Sequence, residues 1–401
     1  MSVVLSLAGA SPSSVSAGAS PLAELGAALH AYTEAEHHPR ALRWVRGLDA
    51  DSPDGDRSTR EGSTPDGPRP DGPRPDGSTR NGSTRDGAPT STLTPALRRR
   101  IRDWAPLWAS YRARYLFPLS PSGDRPLEAE LNDLAELPLP LFAELTGYAI
   151  RGGNSGATLD RVLHDRAQRE GLVTAAEQRS TARAELARRL LDAPESLRAD
   201  LLDLLAQAAR ALEPDLARAA RVIAGQLPRL RDSIEHSGPG RTLADLDSTA
   251  SYREEPPRVV FDKFHHGIVN VATTPVLVIP SAFGRPHLLV KHEPGLTAVV
   301  HYPLVPEGDD QPGYAVVHRR LEVMRDPGRQ RIARAIAREP LTPSALADRS
   351  GMTLPQVSRH LARLREAGLV TVERDGRRAY YQLHLERVRS IGEDLLTALF
   401  H

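Results

Sequence analysis

Apolar residues recur at helical spacing along most of the chain, and that rhythm is interrupted twice. Leu22, Leu25, Ala28, Leu29 and Tyr32 share one helical face, and a short run follows at Ala41-Leu-Arg-Trp-Val, which predicts helix within 21–48. From about 50 to 92 the periodicity is lost. Asp66-Gly-Pro-Arg-Pro and Asp71-Gly-Pro-Arg-Pro form a tandem five-residue repeat, continued by Gly77-Ser-Thr-Arg and Gly82-Ser-Thr-Arg. Ordering such a segment costs backbone entropy and buries almost nothing, so it reads as a disordered insertion acting as an inert linker.

Helical periodicity resumes at Pro95, with Leu97, Ile101, Trp104 and Trp108 on one stripe. Further helices are expected at 125–147, 156–170, 175–192, 196–212 and 214–236, where Leu201, Leu202, Leu204 and Leu205 give a broad buried face. Pro194, Pro214 and Gly238-Pro239-Gly240 punctuate the array. Between 257 and 303 the pattern shortens to β-branched runs: Arg258-Val-Val-Phe, Gly267-Ile-Val-Asn-Val, Val276-Leu-Val-Ile, His287-Leu-Leu-Val and Thr297-Ala-Val-Val-His-Tyr. These predict three to five strands of a small antiparallel sheet. The fold class is therefore mainly α with a small antiparallel β-sheet (α+β), and residues 1–313 form its N-terminal unit.

Residues 314–401 carry the parts of a winged helix-turn-helix in order. Pro327 suits the first turn of a helix whose inner side is Ile332, Ala335 and Ile336, and Pro340 ends it. Thr342 caps a second helix opened by Pro343-Ser344, with Leu346 inward, and Gly351 permits the left-handed turn after it. Thr353 caps a third helix in which Val357, Leu361 and Leu364 form the buried stripe. Its other side presents Gln356, Arg359 and Arg363, the residue types that pair with adenine and guanine edges in a major groove. Ser344, Thr353 and Ser358 are placed to hold phosphates. Asp375-Gly376 signals a hairpin whose tip carries Arg374, Arg377 and Arg378. On its second strand Tyr381 is expected inward with Ala379 and Leu383, leaving Tyr380 outward. A last helix over 386–400 has Val388, Ile391, Leu395 and Leu396 on one face, a candidate dimer surface.

The run from Leu346 to Val370, with Val357-Ser-Arg-His-Leu and Ala367-Gly-Leu-Val at its heart, and the basic wing Arg374-Asp-Gly-Arg-Arg-Ala-Tyr-Tyr resemble the ArsR/SmtB family. The resemblance covers about a fifth of the chain and implies a homodimeric repressor reading an inverted-repeat operator. Family members that sense metals do so through cysteines near the first DNA-binding helix or Asp/His pairs on the last one. This chain has no cysteine, and Glu386, Glu393, Asp394 and His401 lack the spacing, so those sites are not expected to sense metal here. The N-terminal part, with its Val-Leu-Val-Ile-Pro-Ser-Ala-Phe stretch, looks like the uncharacterised domain that accompanies such helix-turn-helices in actinobacterial regulators.

Composition narrows the remaining options. A formal net charge of +1 argues against a nucleic-acid binder, but from Pro327 onward 13 arginines face 8 acidic residues. The absence of cysteine excludes disulfides, thiolate metal sites and cysteine nucleophiles. Lys263 and Lys291 are the only lysines, a bias attributable to a GC-rich genome. The opening Met1-Ser-Val-Val-Leu-Ser-Leu-Ala-Gly-Ala lacks the basic start of a signal peptide, and no run spans a bilayer, so a cytoplasmic protein without membrane contact is expected. Adjacent histidines at His37-His38 and His265-His266 point apart and make no ready chelate, and Gly152-Gly-Asn-Ser-Gly lacks the lysine of a phosphate loop. No cofactor, metal or catalysis is expected. The partners are double-stranded DNA, a second copy of the chain and a small-molecule effector held between helical array and sheet, with the N-terminal unit as sensor or oligomerisation platform. The competing reading is an enzyme or interaction scaffold that uses the winged helix only to dimerise or dock.

Overall fold

A computed structural model describes residues 2–38, 41–50, 93–109, 111–154, 158–247, 250–263, 266–304, 314–375 and 378–400. The expected insertion over 50–92 lies almost wholly outside these residues, as do Arg377, His265 and His401. Three layers make up the N-terminal part. One sheet joins β1 (Ser2–Ser6), β3 (Ala250–Arg253), β4 (Arg258–Asp262) and β5 (Gly267–Asn270) in the order β3-β4-β1-β5. The other joins β2 (Val15–Ala17), β6 (Val276–Ser281), β7 (Leu289–Lys291) and β8 (Ala298–Pro303) in the order β2-β6-β8-β7.

All five expected strand regions are present, but the sheets are mixed rather than antiparallel. β1 runs antiparallel to β4 and parallel to β5, while β2, β6 and β8 are mutually parallel. Parallel strands buried on both faces carry continuous apolar runs, and β6 is buried at every position. Alternation along it divides two cores. Val276 and Val278 face the first sheet, with Val3, Leu5, Val259 and Phe261. Leu277 and Ile279 join the helical core.

The helical layer is built around Pro21–Thr33, buried continuously from Leu22 to Tyr32. Leu97, Ile101, Trp104 and Trp108 all enter the same core, although the helix itself is Pro95–Asp103. The expected helix at 125–147 is two, Leu127–Glu136 and Leu139–Arg151, divided by Pro138 at the second N-cap. That at 156–170 is displaced to Arg166–Glu177, where the Asp165 carboxylate accepts from the Gln168 amide at 2.8 Å and fixes the start. Helices Thr181–Asp192, Pro194–Ala211 and Glu213–His236 complete the array.

Buried charges line the seam between helices and the β2-β6-β8-β7 sheet. Arg114 is fully buried; its Nε lies 3.2 Å from Glu293 Oε2 and its other nitrogens donate to the carbonyls of Phe117, Pro118 and Thr297. Tyr111 donates to Glu293 Oε1 at 2.6 Å, and Lys291 Nζ sits 3.6 Å from the Tyr111 ring centroid while donating to the Arg112 carbonyl. Burial pushes the Lys291 ammonium down to about 8 against the opposing pull of Glu293. Burial alone would raise the Glu293 carboxyl, but Lys291, Arg114 and Tyr111 together bring it below its ordinary value.

The C-terminal part has its own core of Ile332, Ile336, Leu346, Val357, Leu361, Leu364 and Leu369. Its first helix, Tyr314–Arg325, packs against the last, Leu385–Phe400, and that last helix also contacts Ala35–His37.

His301 on β8 is fully buried and edge-on to Phe117 at 5.6 Å; burial, then Arg112, holds its imidazole well below the usual value. The unfolded chain takes up this proton as pH falls through about 6.5 while the folded state refuses it, so folding stability falls on acidification in that window. Between pH 6.5 and 5.5 urea unfolding is expected to show a loss of about 1 kcal/mol from this residue, absent in His301→Leu. An unchanged pH slope in that variant would remove His301 as the source.

Candidate nucleic-acid interface

The turn and the helix that follows it are fixed by local chemistry. Thr342 caps Pro343–Ser350, its hydroxyl oxygen accepting from the Ala345 amide at 3.3 Å, and Ser344 is exposed with its Oγ 3.1 Å from Thr342 Oγ1. Gly351 ends that helix at φ +65°, a left-handed conformation that side chains with a Cβ adopt at a cost. Helix Leu354–Glu366 starts at Thr353 with a capping box: Gln356 Oε1 accepts from the Thr353 amide at 2.9 Å and from its hydroxyl at 3.0 Å.

Within this helix Val357, Leu361 and Leu364 are buried as expected. Gln356, Ser358, Arg359 and Arg363 are exposed, together with Thr353. At 100° per residue Arg359 falls nearly opposite the buried stripe, and it has no ion-pair partner among the described residues. Two expected readers are tied down. The Gln356 amide oxygen is engaged at the cap, because three residues beyond a threonine N-cap is where a glutamine side chain reaches back. Arg363 pairs with Glu366 at 3.0 Å on the exposed surface, a contact weak enough for phosphate or base to replace. His360, on the flank, lies 3.8 Å from Asp326, whose carboxyl the Arg329 amide holds below its usual value while capping Pro327–Ile336.

The wing is the hairpin β9 (Val370–Asp375) and β10 (Arg378–Leu383), with Asp375 opposite Arg378. Arg374 and Arg378 are exposed, and Arg377 at the tip lies outside the described residues. Tyr381 packs on the core and exchanges both backbone hydrogen bonds with Leu341, at 2.9 and 3.0 Å, tying the wing to the strand-like entry of the second helix. Tyr380, expected outward, is half-buried opposite the exposed Glu373. Helix Tyr314–Arg325 was not resolved by periodicity as a distinct element. Its Arg320 is buried and pairs at 2.9 Å with Asp394 of the last helix, which removes Asp394 from the surface. Val316 and Leu321 on the first helix and Leu396 and Leu399 on the last are exposed.

A family of unknown function (DUF5937) matches residues 1–54 and 83–308, and a helix-turn-helix domain matches 324–373. The HTH-type transcriptional regulator KmtR of Mycobacterium tuberculosis is 35% identical over 86 residues, 21% of this chain and 65% of that protein, less than two thirds of its length. Among solved structures, NolR from Sinorhizobium fredii is 30% identical, covering 23% of this chain and 91% of that one with a TM-score of 0.19. The homodimeric winged helix-turn-helix DNA-binding domain Mb0332 from Mycobacterium bovis is 27% identical, covering 22% and 82%, with a TM-score of 0.19. The C-terminal segment is thus an ArsR-type winged helix-turn-helix following a large uncharacterised domain.

Replacing Thr353 by alanine is expected to destabilise the start of helix Leu354–Glu366 by about 1 kcal/mol, with Thr353→Ser close to wild type. Hydrogen exchange of the amides in that first turn measures it; equal protection in all three proteins would show that the box does not hold the helix start.

Proposed function

Because this chain belongs to the DUF5937 family and ends in an ArsR-type helix-turn-helix domain, we propose that it is a DNA-binding transcriptional regulator acting as a homodimeric repressor. In this reading residues 314–401 are the DNA-binding unit and 1–313 the regulatory unit. Helix Leu354–Glu366 enters the major groove of an inverted-repeat operator with Arg359 as its principal base contact. Ser344, Thr353 and Ser358 meet phosphates, and Arg374, Arg377 and Arg378 of the wing meet the flanking backbone or minor groove, with Tyr380 beside them. Gln356 and Arg363 join the contact by giving up their cap and ion pair. The observation that carries the reading is Arg359, exposed and unpaired among the described residues on the face opposite the Val357-Leu361-Leu364 stripe.

The dimer is built on the paired first and last helices of the unit, where the last helix exposes Leu396 and Leu399 on one side for a second copy to cover. The effector binds in the N-terminal unit. Supporting this, both terminal nitrogens of the buried Arg112 guanidinium are without a hydrogen-bond partner among the described residues, as are both ring nitrogens of His301 in the same seam. No helix among the described residues is long and apolar enough to cross a membrane. The reading assigns no catalytic role to either unit.

A gel shift against the region upstream of its own gene tests the assignment. Arg359→Ala is expected to lower affinity by about 1–3 kcal/mol, and binding to fall steeply with added salt for duplex DNA alone. Unchanged affinity in Arg359→Ala would remove it from the reading role, and absence of salt-dependent duplex binding would favour the docking alternative. Leu396→Glu combined with Leu399→Glu is expected to yield monomers by sedimentation equilibrium and to lose operator binding; a dimer that persists would place its interface elsewhere.

A further inference from the structure

Three histidines distant in sequence meet inside the N-terminal unit. His30 lies in the last turn of helix Pro21–Thr33, His38 follows the short turn Ala35–His37, and His287 sits in the loop between β6 and β7. His30 and His38 are buried and His287 is partly buried. One ring nitrogen from each lies within 4.8 Å of the others. We propose that His30, His38 and His287 form a binding site for a divalent transition-metal ion of the zinc class.

Geometry is the first argument. Three imidazoles around one tetrahedral ion, with metal–nitrogen bonds of about 2.0–2.1 Å, put their ring centroids about 5.2 Å apart. The observed separations are 4.8, 5.0 and 5.4 Å. The ring planes stand at 79°, 67° and 73° to one another, edge-on and not stacked.

Polar satisfaction is the second. Both ring nitrogens of His30 are sealed from water, and with only a weak backbone hydrogen bond at Trp108 to draw on, at least one has no partner among the described residues. A buried imidazole left in that condition is costly, and ligation of an ion would satisfy one of its nitrogens. The donor set fits the ion class: imidazole suits zinc, nickel, cobalt and copper in their divalent states, and with no thiolate in the chain nothing selects a softer ion. Three protein ligands leave a fourth position for water or an anion, the arrangement of an open site.

Charge acts against the site in part. Arg112 lies close enough to act electrostatically on His30, and Glu24, on the same helix as His30, faces Arg112; burial raises the Glu24 carboxyl, while its hydrogen bonds and Arg112 pull the other way. Glu24 is itself held by Ser281 Oγ at 2.5 Å and by the amides of Ala282 and Phe283 at 3.0 Å each, at the start of the loop that carries His287. The adjacent pair His37-His38 is not the chelate. The fold supplies the other two ligands from 8 residues before His38 and 249 after it.

The test uses the full chain, freed of metal by chelator dialysis and titrated with Zn²⁺ and with Co²⁺. One ion per chain is expected by calorimetry, with the intense visible bands of tetrahedral Co²⁺ and a melting temperature raised by Zn²⁺. His287→Gln and His38→Gln are each expected to weaken binding by at least about 100-fold and to abolish the Co²⁺ bands, more than loss of a supporting hydrogen bond costs. Their far-UV circular dichroism and their melting in chelator are expected to match wild type, and the exposed His164→Gln to bind normally. His287→Gln, in the partly buried loop, keeps the test decisive where His38→Gln fails to fold. Absence of stoichiometric binding in the wild type, or binding that survives in His287→Gln with unaltered Co²⁺ bands, overturns the site.

Discussion

Charge that has been taken out of water governs how this molecule holds together. Arg114, Lys291, Glu24 and Glu293 are all buried where the helices meet the β2-β6-β8-β7 sheet, and each is satisfied by groups from the other side of the seam or from the loops that bound it. A buried pair adds little net stability over a well-packed apolar contact, but a buried charge without its partner is strongly unfavourable. The helical layer therefore has few ways to sit on the sheet. Sliding one past the other would strand Arg114 from Glu293 and the Thr297 carbonyl together. Glu24, in the first turn of helix Pro21–Thr33, ties that helix to the start of the loop after β6, and His30 and His287 lie on the same helix and loop.

The C-terminal unit solves a different problem with one helix. Its aliphatic stripe must lock into a core of about a dozen residues, while its opposite side must stay available. Four- and three-residue spacing of Val357, Leu361 and Leu364 does the first and leaves Arg359 for the second. Gln356 shows the limit of such economy, since the residue that closes the helix start is also one of those on the exposed side. The two units touch where the last helix meets Ala35–His37, immediately before His38.

The winged helix was legible almost residue by residue because its determinants are local: caps at Thr342 and Thr353, a left-handed glycine at 351, a short-period stripe between them. The five runs between 257 and 303 were equally plain, being β-branched and bounded by turns. Their directions were not, because parallel pairing depends on where the connections pass and leaves no mark on the strand itself. β1, β2 and β3 escaped notice for a related reason. Ser2–Ser6 is three aliphatic residues between two serines, only five positions long, and both of its partners lie more than 250 residues away. The histidine cluster is the extreme case, since adjacency at His37-His38 suggested a pair that geometry forbids and gave no hint of residues 30 and 287.

β1 has a consequence for how the chain is made. It is the third strand of a four-stranded sheet, flanked by Arg258–Asp262 on one edge and Gly267–Asn270 on the other. Neither neighbour exists until some 260 residues after Ser2 have been translated, roughly 13 to 52 seconds at about 5–20 residues per second. Over that interval the nascent chain carries Val3, Leu5 and a naked row of amides, a template for pairing with other chains. The first sheet thus closes late, with most of the helical array already off the ribosome, and ribosome-bound chaperones have a natural client in Ser2–Ser6.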